Sequence, residues 1–301
     1  MPAESPVPPA CRHVFTVLNY DLGATLSSGQ VFRWHPVANG WEGVVGRHWV
    51  RLVADDSEIR VTTAAPVRNW TWLKRYLQIE VDLDAVIATF PPEEPLREAV
   101  RACAGLRLLR QDVWECLASF ILSSTKQIVQ IQQIVARMCE HFGEPVDVPP
   151  GCAPTRSFPT AERLAHLREA DLRKCGMGFR APYLLESARL VAAGAIVPPR
   201  LASLELEPAR AALMTLPGVG RKIADCVLLF AVGQPRAFPV DVWILKTLRE
   251  LYFSGRAVPL RQLVQFAETH FGPHGGYAQQ YLFHHARLRS GRQPTRSNHK
   301  P

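Results

Sequence analysis

The residues best equipped for chemistry lie between positions 213 and 252, in the run LMTLPGVGRKIADCVLLFAVGQPRAFPVDVWILKTLRELY. Leu216-Pro-Gly-Val-Gly220 sets a proline and two glycines between a helix expected over 208–214 and another beginning near Arg221. Gly218 and Gly220 leave the backbone bare, so a phosphate can approach the free N–H groups and the positive dipole end of the second helix. Such a grip holds a nucleic-acid backbone without reading its sequence. Lys222, in the first turn of that helix beside Arg221, has two readings: a solvated cation near a bound phosphate, or an amine nucleophile. A free lysine is almost wholly protonated at neutral pH, so the second reading needs surroundings that disfavour the charge. A helix N-terminus, a neighbouring arginine and partial burial all do so. Asp241 follows nineteen residues later, in Phe238-Pro-Val-Asp-Val-Trp243. It is either the N-cap of a helix over 242–252, or a carboxylate that stabilises a cation developing at a sugar carbon and takes part in proton transfer. Two antiparallel helices bring both N-terminal ends to one cleft mouth.

The elements that must position these residues fall into two textures. Up to about residue 63 the chain reads as short strands: Val31-Phe-Arg-Trp-His35, Trp41-Glu-Gly-Val-Val45, His48-Trp-Val-Arg-Leu-Val53 and Glu58-Ile-Arg-Val-Thr62, separated by turn signals such as Ala38-Asn-Gly40. After Asn69 the apolar spacing lengthens to that of helices. Leu117, Phe120, Ile121 and Ser124 mark one face, and Ile128, Ile131, Ile134 and Val135 another. Helical pattern continues to about Leu288, with breaks at 149–159, 198–199 and 272–276. The expected fold is α+β: an N-terminal antiparallel β-sheet domain with flanking helices over 1–110, an all-helical domain over 111–290, and a basic tail over 291–301.

Composition bounds the function classes. The 301 residues are 47% hydrophobic and 21% charged, as in an ordinary globular chain of about two domains. That excludes a fibrous or disordered protein. No apolar run approaches ~18 residues, so no membrane partner is expected. The N-terminus has no signal-peptide pattern, which points to a cytoplasmic, nucleoid-associated setting. Thirty-five basic against twenty-seven acidic residues give a net charge of +8, which favours a polyanionic partner. Residues 286–301 add Arg287, Arg289, Arg292, Arg296 and Lys300 with no acid among them. The seven cysteines, at 11, 103, 116, 139, 152, 175 and 226, form no CxxC pair and no cluster with histidine. Neither a disulfide framework nor a metal site is expected.

Taken together, LPGVG, the lysine after it and PVD at this spacing resemble the helix-hairpin-helix motif of DNA base-excision glycosylases. The resemblance extends over most of the chain and is specifically to 8-oxoguanine DNA glycosylases of the eukaryote type. Ser28-Gly-Gln-Val-Phe-Arg-Trp34 is similar to that family's opening motif, Phe120-Ile-Leu-Ser-Ser124 to the start of its first long helical unit, Cys175-Gly-Met-Gly-Phe-Arg-Ala-Pro-Tyr183 to its wedge loop, and Tyr277-Ala-Gln-Gln-Tyr-Leu-Phe283 to a late helix lining the base pocket. The resemblance implies a bifunctional glycosylase/AP lyase acting as a monomer on duplex DNA containing a damaged base, with Lys222 as nucleophile and Asp241 as the essential carboxylate. It implies no required cofactor, with a monovalent cation at the hairpin. The iron–sulfur relatives carry four cysteines after this motif, and none follows Cys226, so no iron–sulfur cluster is expected. A glycosylase for alkylated or other damaged bases on the same fold, and a non-catalytic DNA-binding protein, are the alternative readings.

The same resemblance implies a base pocket in which the Gly29 carbonyl accepts the N7–H of 8-oxoguanine, Cys226 and Phe283 sandwich the extruded base, and Gln279 bonds its Watson–Crick edge. The DNA-binding set is Gly218, Gly220, Phe179, Arg180, Thr125, Lys126 and Gln130. Several of these depart from the family. Thr125-Lys-Gln127 replaces an asparagine run, Gln130 an arginine that reads the opposite cytosine, Phe179 a wedge tyrosine, and Trp243 a histidine after the catalytic aspartate. Arg180 keeps the second cytosine-reading arginine.

Overall fold

The computed structural model describes residues 11–123 and 126–291. Thr125 and all but the first residue of the basic tail therefore lie outside the described residues. Strands β1 (Cys11–Thr16), β2 (Trp34–Val37), β3 (Gly40–Val45), β4 (His48–Ala54) and β5 (Glu58–Thr63) form one antiparallel sheet in the order β1-β5-β4-β3-β2. Period-two alternation drives it: Ile59, Val61 and Thr63 of β5 are buried, while Arg60 between them is exposed. The buried face packs Phe15, Val50, Leu52 and Trp34 with Leu73 and Leu77 of the helix Thr71–Leu77.

One strand differs from the expected span. Val31 and Phe32 read as strand, yet β2 begins only at Trp34. The two apolar side chains serve different cores: Val31 joins the sheet's core, whereas Phe32 crosses into the helical core and meets the edge of Phe120, with ring centroids 5.4 Å apart. The consecutive buried residues here mark a chain passing between two cores.

The helices Val113–Leu122, Ile128–Phe142, Ala181–Ala192, Leu206–Met214, Arg221–Val227, Val242–Tyr252 and Gly275–Arg289 share one core containing Leu117, Leu184, Leu213, Ile244 and Tyr281. Leu83–Ile87 and Glu94–Ala102, which precede residue 110, contribute Leu83, Leu96 and Ala99 to it. The pair Pro198-Pro199 proves to be the first turn of the helix Pro198–Ser203, where a missing N–H loses no bond. A small pairing of Pro145–Val146 with Thr155–Arg156 brackets the proline-rich loop. The apolar run after Cys226 is helical and widens to a π-turn over Leu228–Val232. Gly233, with φ +91°, ends it by donating to the Leu228 carbonyl at 2.7 Å.

Candidate active site

The hairpin is built from local chemistry. Val219 N–H donates to the Leu216 carbonyl at 3.1 Å, and Gly218 takes φ +75°. A Cβ on Gly218 would also stand 2.9 Å from Tyr183 Cβ, so glycine is required twice over. Gly220 begins the helix Arg221–Val227 with an ordinary φ of −92°, and a Cβ there would meet nothing within 4 Å. The space ahead of the helix is open, as a phosphate contact needs.

A buried ion network ties the two hairpin helices together. Arg210 and Asp225 pair at 2.6 Å with side chains 2% and 3% exposed. Glu268 takes Arg210 at 3.6 Å and also bonds Arg221. Removing one member of such a pair leaves an uncompensated buried charge, so the network holds the hairpin's shape. It also separates two adjacent cations. Arg221 is committed to the network, while Lys222 points the other way.

Lys222 Nζ donates to Ser123 Oγ at 3.0 Å and lies 5.0 Å from the centre of the Phe120 ring. Ser123 caps the helix Val113–Leu122 and donates to the Phe120 carbonyl at 2.7 Å. Among the described residues the Lys222 amine pairs with no carboxylate. Asp241 is the N-cap of Val242–Tyr252, its Oδ1 accepting from Ile244 N–H at 2.9 Å. Burial pushes its carboxyl above the ordinary value, opposed by the Ile244 N–H and by the charges of Lys222 and Arg287. Both sequence readings of Asp241 therefore have support: one oxygen caps the helix, and the carboxylate shares its field with Lys222. Cys226, one turn after Lys222 and 2% exposed, has its thiol pushed up to about 12 by burial. It is a neutral wall of the site.

Gly29 adopts φ +83° in a turn fixed by Gln30. The buried Gln30 amide donates to the carbonyls of Thr25 at 2.9 Å and Arg107 at 2.8 Å, and accepts from Leu109 N–H at 2.8 Å. Gln280 donates to the Ser28 carbonyl at 3.1 Å. A Cβ on Gly29 would stand 2.7 Å from Ile128 Cδ1 and 3.4 Å from both Phe283 Cε1 and Arg287 Nη1. Gly29 and Phe283, 254 residues apart, thus face each other. Gln279 is 4% exposed, and its Oε1 is buried with no hydrogen-bond partner among the described residues.

The residues expected to bind DNA differ in exposure. Phe179, in the short turn Gly178–Arg180, is 60% exposed, as an inserting side chain must be. Arg180 is 3% exposed, its guanidinium 4.2 Å from the Phe179 ring centre. Gln130 is exposed, and its Oε1 accepts from Gln127 N–H at 3.0 Å, which completes the start of Ile128–Phe142. Lys126 is half-buried, with its N–H on the Ser123 carbonyl at 3.3 Å. Sequence reasoning missed the roles of Ser123, Gln30 and Arg287. Arg287 was counted among the tail's basic residues, though its spacing of four from Phe283 signals a side chain on the same helix face.

Family models match most of the chain: "8-oxoguanine DNA glycosylase, N-terminal domain" over residues 13–117 and "HhH-GPD superfamily base excision DNA repair protein" over 118–267. A probable N-glycosylase/DNA lyase of Methanothermobacter thermautotrophicus is 32% identical over 91% of this chain and 95% of its own. The N-glycosylase/DNA lyase OGG1 of Arabidopsis thaliana is 33% identical over 87% of this chain and 76% of its own. The crystal structure of Clostridium acetobutylicum 8-oxoguanine glycosylase/lyase, in complex with double-stranded DNA containing cytosine opposite 8-oxoguanine, superposes with a TM-score of 0.85. That pair is 28% identical over 92% of this chain and 98% of the other.

Proposed function

The chain belongs to the HhH-GPD superfamily of base-excision DNA repair proteins, in the branch that carries an 8-oxoguanine DNA glycosylase N-terminal domain, and from that premise we propose that it removes 8-oxoguanine from duplex DNA and cleaves the strand there. One observation carries the assignment of roles: Lys222 is the hairpin cation left out of the ion network, held by Ser123 and Phe120 in the field of Asp241.

The damaged nucleotide swings out of the duplex, as a base buried in the stack cannot otherwise be reached. Phe179 fills the stack, the open end of the hairpin holds a phosphate, and the base enters between Cys226 and Phe283. The Gly29 carbonyl accepts N7–H, and Gln279 Oε1 takes a donor from the Watson–Crick edge. Lys222, as the free amine, forms a bond to C1′ while the C1′–N9 bond breaks and its electron pair leaves with the base. Asp241 stabilises the positive charge at the sugar, where a preorganised charge acts without reorganisation, and accepts the proton that the amine gives up. The adduct opens to an imine between Lys222 and C1′ as the C1′–O4′ bond breaks and O4′ takes up the proton held by Asp241. Transfer of a C2′ proton to the anion of the released base then breaks the C3′–O bond and expels the 3′ phosphate, so the strand is cut 3′ to the lesion.

No redox chemistry enters this scheme. A monovalent cation at the hairpin is compatible with its carbonyls: those of Leu216 and Pro217 each accept one protein hydrogen bond and keep a second lone pair. A monomer acting in a cytoplasmic, nucleoid-associated setting completes the proposal. Single-turnover excision on a panel of duplexes tests it. Rapid release of 8-oxoguanine with strand cleavage supports the reading. Release of 3-methyladenine with 8-oxoguanine untouched would overturn it in favour of an alkylated-base glycosylase.

A further inference from the structure

Arg287 flanks Gly29 beside Phe283 and has no part in the scheme above. It follows Gln279 by eight residues and Phe283 by four, so the three side chains rise from one face of Gly275–Arg289. Its guanidinium leans back over the Phe283 ring, 5.6 Å from the centroid. Its Nη1 and the Phe283 ring edge lie at the same distance, 3.4 Å, from where a Cβ on Gly29 would stand. The bare face of the glycine is thus flanked by an aromatic ring and a cation. The guanidinium is loosely held. Nη1 makes one long hydrogen bond, 3.4 Å to the Ser27 carbonyl, and among the described residues no carboxylate pairs with it. An arginine has five N–H donors in a planar fork, so this one keeps donors to spare beside the pocket.

We propose that Arg287 is a specificity-determining residue that donates to the oxygen on C8 of the extruded base. The inference rests on the reading that the base lies against Gly29 and Phe283. N7 and C8 are bonded neighbours on one edge of the purine, so a base whose N7–H meets the Gly29 carbonyl carries its C8 substituent within reach of a group flanking that glycine. In 8-oxoguanine the substituent is an acceptor; in guanine it is a C–H, which accepts nothing. Gly29 reads the new donor and Arg287 the new acceptor. An undamaged base leaves a half-buried charged donor unmatched, and unmatched polar groups discriminate more strongly than lost contacts do.

Arg287→Met, of similar length and uncharged, provides the test in two duplexes: one holding a cleavage-resistant 2′-fluoro 8-oxoguanine nucleotide, the other a base-free tetrahydrofuran site. The expected result is about tenfold to a hundredfold weaker binding of the first and no matching loss for the second. Equal weakening of both would make Arg287 a phosphate contact and overturn the proposal, as would no change in either. A loss of excision rate that recovers at alkaline pH would also overturn it, because Arg287 would then act only by keeping Asp241 ionised. Failure of the underlying function has a separate signature: wild-type protein that binds both duplexes alike and releases no 8-oxoguanine.

Discussion

Replacing Asp241 by asparagine separates its two roles, because the structure gives each a different cost. The cap bond, Ile244 N–H to Oδ1 at 2.9 Å, needs only an oxygen, and asparagine supplies one. Asn caps helices about as well as Asp, whereas alanine at an N-cap costs about 1 kcal/mol. The carboxyl is also held above its ordinary value by burial, so its ionised form is less stable in the folded protein than in the unfolded chain. That penalty grows as pH rises above the unfolded value, and asparagine removes it. Asp241→Asn is therefore expected to melt at or slightly above the wild-type temperature at neutral pH, with Asp241→Ala below both. The catalytic cost is different in kind. One preorganised electrostatic partner is typically worth ~10²–10³ in rate, which is about 3–4 kcal/mol of barrier. Single-turnover release of 8-oxoguanine should slow by at least ~100-fold in Asp241→Asn, and the acid limb of the wild-type pH–rate profile should vanish with it. A rate within about fivefold of wild type, in a protein that melts normally, would refute the reasoning and leave Asp241 a helix cap.

Gly29→Ala should slow base release by at least about tenfold and destabilise the fold by about 1 kcal/mol, since the new Cβ would stand 2.7 Å from Ile128 Cδ1 at φ +83°; urea melts and single-turnover rates check both, and a wild-type rate would remove Gly29 from the pocket. Gln130 offers a neutral reader where an arginine discriminates by ~1–3 kcal/mol, so excision opposite all four bases should show a cytosine preference that Gln130→Arg sharpens about tenfold. A sharp wild-type preference unchanged in the variant would assign the discrimination elsewhere. His284 is 5% exposed and pushed down to about 4 by burial and the nearby Arg287 charge. Between its unfolded value of about 6.5 and that folded value, only the unfolded chain takes up the proton, so stability should fall by about 3 kcal/mol as pH drops through this window. Urea midpoints from pH 7 to 4 should show this loss in wild type and a flatter profile in His284→Gln.

The parts of this account legible in sequence are those with local causes. Proline and glycine punctuate the hairpin at 216–220, and the helix expected over 242–252 is the helix observed, with Asp241 at its cap. The strands expected over 41–45, 48–53 and 58–62 are observed as Gly40–Val45, His48–Ala54 and Glu58–Thr63. What was not legible depends on partners far apart in the chain. Ser123 and Lys222 meet across 99 positions, and Gln30 and Leu109 across 79; no local pattern announces either bond. The Arg210–Asp225–Glu268 network has local traces in the four-residue spacing of Arg221 and Asp225 and the three-residue spacing of Glu207 and Arg210. Val31 and Phe32 misled because β-branched and aromatic residues are also what a chain buried between two cores requires.

The central claim is that Lys222 is the nucleophile, and borohydride trapping tests it most directly, because reduction of the imine leaves protein and DNA covalently joined. On duplex containing 8-oxoguanine opposite cytosine, wild type should give a trapped complex. Lys222→Gln should give none while still binding the duplex, and Lys126→Gln should trap as wild type does. Undiminished trapping by Lys222→Gln, with loss in Lys126→Gln, would move the nucleophile to Lys126 and contradict the account.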